Sequence, residues 1–216
     1  MTMQDTETGW RGSAELWLSA AHDALLEGGV DAVKIMPLAK KLKLSRASFY
    51  WFFQDREQLL AALLKLWRDK NTGNLVMRAN AYADSLAEAI LNVSDCWFDN
   101  GLFDSRLEFA IRSWAIQSDD IRAEVQEADR QRLDALTDLF SRFGMAPQLA
   151  DVRARTIYLV QIGYISMQTE EDICLRTSRM PEYVEVYTGV PPEPRELNRF
   201  FSRHGLKFED GQVTQA

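Results

Sequence analysis

The sequence predicts an all-α protein, with an N-terminal three-helix unit followed by a larger helical bundle. Three observations predict it. Apolar residues recur at intervals of three and four along nearly the whole chain. Ser, Asp and Pro stand where such stretches begin, and Gly stands where they end. Strand-like alternation of apolar and polar residues is absent over any useful length. The composition agrees: 216 residues, 46% hydrophobic and 26% charged, suffice for a globular core.

The elements follow in order. Ser13 to Glu27 places Trp17, Ala21, Ala24 and Leu25 at helical spacing, with Ser13 as N-cap and Gly28-Gly29 as stop. Val30 to Val33 is a connector. Met36 to Leu42 suits a short helix, because Pro37 falls in a first turn where its missing N–H is harmless. A tight turn at Lys43-Leu44 precedes Ser45, which caps a second short helix from Arg46 to about Phe52. Asp55 and Gln58 form a capping box that opens a long helix running past Lys70. Further helices are predicted near 81–99, 104–116, 119–143, 148–169, 181–188 and 194–204. Pro147, Pro181 and Pro194 mark starts; Gly144, Gly189 and Gly205 mark ends. The last ten residues read as a frayed tail.

Several function classes find no support. No apolar run approaches the ~18 residues of a membrane span. The opening M-T-M-Q-D-T-E-T-G-W lacks the basic and apolar regions of a secretion signal. Cys96 and Cys174 make no disulfide framework and read as buried thiols in a reducing compartment, so a cytoplasmic setting is expected. The two histidines, His22 and His204, are far apart, and neither a Gly-rich phosphate loop, an HExxH motif nor a nucleophile elbow occurs. The acids of 119–138 alternate with Arg122, Arg130 and Arg132, the pattern of a solvated helix. No catalytic residue, metal ligand or cofactor is expected.

Charge placement is more informative. Lys34, Lys40, Lys41, Lys43 and Arg46 give residues 32–54 a charge of +5 with no acid, leaving −12 on the rest of a chain whose net charge is −7. A basic cluster alone is most often a solvated helix face. Here its context is two short helices joined by a tight turn and preceded by a third, which makes a helix-turn-helix. The second short helix, roughly 10 Å long at 1.5 Å per residue, fits a DNA major groove about 12 Å wide. Phe49 and Phe53, four apart, should pack inward against Leu38, Leu42 and the first helix. Arg46 and Ser48 should face base edges, Ala47 allows close approach, and Tyr50 reaches phosphate. Trp51 is a further candidate DNA-contacting residue. Lys34, Lys43 and Arg56 are expected to neutralise phosphates.

The stretch P-L-A-K-K-L-K-L-S-R-A-S-F-Y-W-F-F-Q-D-R-E-Q-L-L-A-A-L-L resembles the DNA-binding signature of the TetR family of bacterial transcription regulators. Ala39, Ser45, Ala47, Phe49, Tyr50, Phe53 and Arg56 stand where that family has them, and the resemblance spans about residues 13 to 68. Three positions depart from it. Lys43 replaces a turn Gly, Phe52 a His that contacts phosphate, and Lys34 a Thr cap. A non-Gly residue at the turn is expected to reshape it slightly.

The resemblance implies a DNA-binding domain over 1–56 and a ligand-binding and dimerisation domain over 57–216. It implies a homodimer on a roughly palindromic double-stranded DNA operator, with an unknown small-molecule effector. The dimer would form through 148–169 and 181–188. Thr156, Val160, Gly163 and Met167 make a helical stripe there, joined by Tyr183 and Tyr187. On spacing alone the stripe fits intrachain core equally well. Trp97, Phe103, Phe109, Trp114 and Tyr158, with Arg112 and Gln161 as polar groups, are candidate pocket residues. Aromatic residues at such spacing are more often core, and Arg112 reads as a surface cation. The expected function is a repressor released by the effector. The alternative is a DNA-binding regulator controlled by a protein partner, with a filled core and no effector. Nothing in the sequence decides between repression and activation.

Overall fold

Ser13 starts the first helix as its side chain indicates. Its Oγ accepts the Leu16 N–H at 3.2 Å, and α1 spans Ala14–Gly28. The structure, a computed structural model, describes residues 12–209 and 212–215. The N-terminal stretch tested for a secretion signal lies outside the described residues. The chain divides into two compact units between Leu66 and Trp67.

In the first unit a 3-10 turn, Val30–Ala32, leads to α2 (Ile35–Leu42), α3 (Arg46–Phe49) and the start of α4 (Arg56–Trp67). Trp17, Leu25, Leu38, Phe49, Leu59 and Leu63 are its buried centre. Phe49 meets the Trp17 ring edge-on at 5.2 Å and stacks on Phe53 at 5.5 Å. These i, i+4 aromatics face inward, as their spacing predicts. Helix α3 is shorter than expected. After Phe49 the backbone tightens into three-residue turns, with Phe52 N–H on Phe49 O at 3.0 Å. The α4 start is capped reciprocally. Gln58 N–H donates to Asp55 Oδ1 at 2.8 Å, and the Gln58 amide oxygen accepts the Gln54 N–H at 2.6 Å.

The second unit begins at the end of α4 with a π-helical turn, Arg68–Gly73, and α5 (Asn74–Ala79). There follow α6 (Leu86–Phe98), α7 (Ser105–Ala115), α8 (Asp119–Arg142), α9 (Pro147–Ser166), α10 (Ile173–Thr177), α11 (Met180–Thr188) and α12 (Pro194–Arg203). Caps set the boundaries. Ser85 Oγ accepts the Glu88 N–H at 3.0 Å and Asp104 Oδ1 the Leu107 N–H at 2.9 Å. Gly189, with φ of 86°, closes α11 in a conformation few other residues adopt readily. Ile90, Val93, Leu136, Phe140, Ile157 and Phe200 lie at the centre of this core.

Two elements escaped the sequence. Helix α10 is five residues long, too short to show a period, and rests on Asp172, whose Oδ1 accepts the Cys174 N–H at 2.9 Å. The tail read as frayed forms an antiparallel hairpin, β1 (Leu206–Glu209) and β2 (Gln212–Gln215), with Leu206 opposite Gln215. Leu206 is buried, and Phe208 stacks on Phe201 at 5.0 Å. Two inward residues are too few to register as alternation. No helix among the described residues is long and apolar enough to cross a membrane.

Candidate functional site

The turn between α2 and α3 sets up the first candidate site. Lys43 adopts φ 56° and ψ 37°, the left-handed conformation that Gly would supply, and Leu44 N–H closes the turn on Ala39 O at 2.9 Å. The expected reshaping is therefore not seen; the departure shows up as energy, about 1–2 kcal/mol for a side chain in that region. Ser45 then caps α3, its Oγ accepting the Ser48 N–H at 3.2 Å.

This arrangement divides the candidate DNA-contacting residues. Arg46, Ala47, Tyr50 and Trp51 are exposed on α3 and the turn that follows it, with the Tyr50 ring edge-on to the buried Phe49 at 5.3 Å. Arg46 folds over Tyr50: Nε and Nη2 donate to the phenol oxygen at 3.2 and 2.8 Å. Lys34 and Lys43 are exposed at the ends of α2. Ser48 differs from the expectation. It is 5% exposed, and its hydroxyl donates to Ser45 O at 2.6 Å, so it braces the helix start rather than facing outward. Arg56 also has an internal role. Its Nε and Nη2 donate to Val33 O and Val30 O, both at 2.7 Å, tying α4 to the connector after α1. Lys41 pairs with Asp23 of α1 at 3.0 Å. Local spacing gave no hint of either cross-connection.

The C-terminal unit holds charges differently. Arg132, read from its surroundings as part of a solvated face, is fully buried with Glu108. Its Nη1 and Nη2 donate to the two Glu108 oxygens at 2.8 and 3.1 Å, and its Nε donates to Thr72 Oγ1 at 2.9 Å. Glu108 also accepts from Trp67 Nε1 at 2.6 Å, Asn71 Nδ2 at 2.9 Å and Arg112 Nε at 2.9 Å. Burial would push the Glu108 carboxyl up; Arg132, then Arg112 and Asn71, outweigh it and hold the carboxyl down at about 2. Arg112 is thus no surface cation, since it also grips Asp129 and the Tyr158 hydroxyl. Tyr158 in turn donates to Asp129 Oδ1 at 2.6 Å. The π-helical turn contributes Asn71 and Thr72, both buried, to this network.

The network fills the space that the aromatic residues were expected to line. Phe103 and Tyr158 are core, and the Arg132 guanidinium lies 5.5 Å from the Phe103 ring. Trp97 is buried in the same core, and Trp114 is half-buried on α7. Of the candidate pocket residues, Phe109 lines an open cleft, and Gln161 lies beside it, accepting from Arg176 at 3.4 Å. The cleft, about 230 Å³, lies between the start of α7, the end of α9 and α10, with Arg106, Tyr164, Gln168, Thr169 and Arg176 in its walls.

A second depression, about 480 Å³, runs along α9 and α11 and is lined by Thr156, Val160, Tyr183, Val186 and Tyr187 among others. Thr156 is exposed, Val160 and Gly163 are half-exposed, and Met167 is 79% exposed. Tyr183 and Tyr187 stack at 5.6 Å; Tyr187 is buried. The exposed stripe extends further than expected, through Leu149, Val152 and Leu159 on α9 and Val186 on α11. Continuing the same period two turns towards the start of α9 would have found Leu149 and Val152; Leu159 lies within the span of the stripe itself. A Cβ added at Gly163 would meet nothing within 4 Å.

Burial pushes the Cys96 thiol up to about 12, and Cys174 is half-buried. No cluster of three or more metal-ligating side chains occurs among the described residues.

Comparison with known proteins bears on this geometry. Residues 18–63 match the family model of bacterial regulatory proteins, tetR family. No curated protein sequence matches the chain. The fatty acid degradation regulator FadR from Bacillus halodurans has a similar structure over 85% of this chain and 97% of its own, with a TM-score of 0.61 at 15% identity. A structure from Mesorhizobium loti, assigned to the TetR family of transcriptional regulators, is similar over 88% of this chain and 95% of its own, with a TM-score of 0.56 at 14% identity. At such identities the likeness is one of fold. The family likeness is carried by residues 18–63, which match the helix-turn-helix of the bacterial regulatory proteins, tetR family, and the rest of the chain shares the fold of these solved structures.

Proposed function

We propose that the chain is a homodimeric repressor that occupies a roughly palindromic operator and leaves it when a small molecule binds the C-terminal unit. The observation that carries the reading is the division of α3. Phe49 is core, while Arg46, Ala47, Tyr50 and Trp51 stand exposed within a stretch, residues 32–54, that carries no acid. Arg46 is the base-reading residue. Turning from Tyr50, its planar fork suits guanine in the major groove. Lys34 and Lys43 neutralise phosphates and set affinity rather than sequence preference.

Dimerisation rests on α9. That helix buries Ala150, Ala154, Ile157 and Ile165 on one side and exposes Leu149, Val152, Leu159 and Met167 on the other. A helix apolar on both sides belongs in an interior, and a second copy would cover the outer side. Gly163 supports this. A mid-helix Gly costs up to about 1 kcal/mol relative to Ala, yet nothing in its own chain crowds the position; close approach of a partner helix explains it. A two-fold operator would offer half-sites about one DNA turn, roughly 35 Å, apart to its two recognition helices. Repression needs no further surface, because occupation of the operator is enough. Release requires an effector whose affinity differs between the DNA-competent and DNA-incompetent dimer. The α4 helix and its π-helical continuation join the two units in sequence and form the route for that signal.

Selection of bound sequences from a random DNA pool, followed by affinity measurement at two salt concentrations, tests the reading. A two-fold-symmetric consensus with steep salt dependence is expected. Folded protein that enriches no sequence would overturn it.

A further inference from the structure

Arg176 differs from four other arginines packed into the C-terminal unit. Arg112, Arg132, Arg179 and Arg203 each hold a carboxylate, on Asp129, Glu108, Glu171 and Asp95. Arg176 holds none among the described residues. Its guanidinium lies between the Phe98 ring at 5.2 Å and the Tyr164 ring at 4.9 Å, with one long hydrogen bond to Gln161 at 3.4 Å. The acid whose charge acts on it, Glu171, is gripped by both terminal nitrogens of Arg179, at 2.8 and 2.9 Å. Burial lowers the Arg176 pKa, against the opposing influence of Tyr164, Glu171 and Tyr183. A cation withdrawn from water without a counter-ion is unfavourable unless something else supplies the charge.

The cleft described above opens onto this guanidinium. Arg106, exposed and with no ion-pair partner among the described residues, lies in its wall, as does a single acid, Glu170. The lining therefore carries a surplus of one positive charge. Phe109 and Ile165 give it an apolar side; Ser105, Gln168 and Thr169 offer hydrogen bonds. A volume of about 230 Å³ equals that of roughly seven or eight waters at ~30 Å³ each. A dianionic phosphate would bring more charge than the cleft answers and would leave the apolar side uncovered.

We propose that this cleft binds a small organic carboxylate with an apolar body, with Arg176 as its principal charge partner and Arg106 as a second at the mouth. The regulatory meaning of such binding rests on the effector reading above; the binding itself does not. Aromatic rings that flank Arg176 fix the plane of its fork, so a carboxylate can be met by two parallel hydrogen bonds.

The test titrates the full-length protein with benzoate, hexanoate, their neutral amides and inorganic phosphate at constant ionic strength, by calorimetry. At least tenfold tighter binding of a carboxylate than of its amide, a difference of about 1.4 kcal/mol, is expected. Arg176→Gln should abolish that preference, and Arg106→Gln should reduce it by a smaller factor. Should Arg176→Gln fail to fold, Arg176→Lys serves instead: it keeps the charge, loses the fork, and should weaken carboxylate binding several-fold. Equal binding of acid and amide, a preference that survives Arg176→Gln, tighter binding of phosphate, or no binding of either acid at millimolar concentration would each overturn the assignment. Operator release is scored in parallel. If neutral compounds release the DNA while the carboxylates stay inert, the anion site falls and the effector reading stands. If carboxylates bind with the expected preference and never affect DNA binding, the site stands and its regulatory role falls.

Discussion

The two units handle charge in opposite ways. In the N-terminal unit Lys34, Lys43 and Arg46 stay at the surface, while Lys41 and Arg56 turn towards the protein. In the C-terminal unit Arg132 and Glu108 are withdrawn from water and joined through Trp67, Asn71, Thr72, Arg112 and Tyr158. An exposed cation is worth little to stability and keeps its charge for a partner. A buried pair contributes to specificity of packing, and breaking it is costly because the remaining charge has no water to turn to. The first pattern is that of a surface meant for a polyanion, the second that of a framework.

The largest effect expected from this comparison is on stability. Glu108→Ala leaves Arg132 buried without its acid and should cost about 3–5 kcal/mol in chemical denaturation. The double variant Glu108→Met with Arg132→Met should recover much of that loss, because no uncompensated charge remains. If the single variant costs less than about 1 kcal/mol, the network is not the framework described. The same carboxyl predicts acid sensitivity. It is held at about 2 in the folded chain against an ordinary 4.5, so the unfolded chain takes up its proton first as pH falls. Its contribution is fully present above pH 4.5 and is lost between 4.5 and about 2. Urea denaturation of wild type and Glu108→Gln across that range should converge at the acid end.

The next effect falls on assembly. Gly163→Leu places a bulky side chain where a partner helix would approach, and it should raise the dimer dissociation constant at least tenfold in sedimentation. Gly163→Ala sharpens the point. In a chain whose α9 face is simply solvated, it stabilises by up to about 1 kcal/mol; in a tight dimer it weakens association instead.

These two regions were not equally legible. The helix-turn-helix could be read because its signals are local: Ser45, Phe49 and Phe53 act within one or two turns of each other. The face that Arg46 and Tyr50 share follows from the same short spacing. Ser48 was misplaced because a capping serine and the serine three residues on can bond each other instead of looking outward. The network was invisible for the converse reason. Thr72 and Arg132 are 60 positions apart, and Trp67 and Glu108 are 41 apart, so no periodicity joins them. Alternating acids and arginines on α8 look solvated whichever of them turns inward.

A smaller effect separates reading from attraction on the exposed surface. Arg46→Ala should lose about 1–3 kcal/mol of discrimination at one operator position. Lys34→Ala should weaken all DNA alike and flatten the salt dependence by about one phosphate's worth. Equal losses on specific and random DNA for both variants would mean that Arg46 acts as one more phosphate contact.

The smallest effect concerns the turn itself. Lys43 carries a positive φ of 56°, a conformation that costs a side chain about 1–2 kcal/mol and costs Gly almost nothing. Against that gain stands the greater freedom of Gly in the unfolded chain, close to 1 kcal/mol. Lys43→Gly should therefore stabilise the N-terminal unit by a few tenths of a kcal/mol to about 1 kcal/mol, despite the loss of a side chain. Lys43 is also exposed and basic, so the same substitution should weaken DNA binding if the residue meets a phosphate. Lys43→Asn divides the two contributions. Asn tolerates the left-handed region better than Lys and carries no charge. A gain in melting temperature for both variants, with an equal drop in the salt slope of binding, would show that the turn gives up stability in order to place a cation at the DNA. A gain in stability with the salt slope unchanged would make Lys43 a plain strained turn residue, and the attraction would have to come from Lys34 and Arg46.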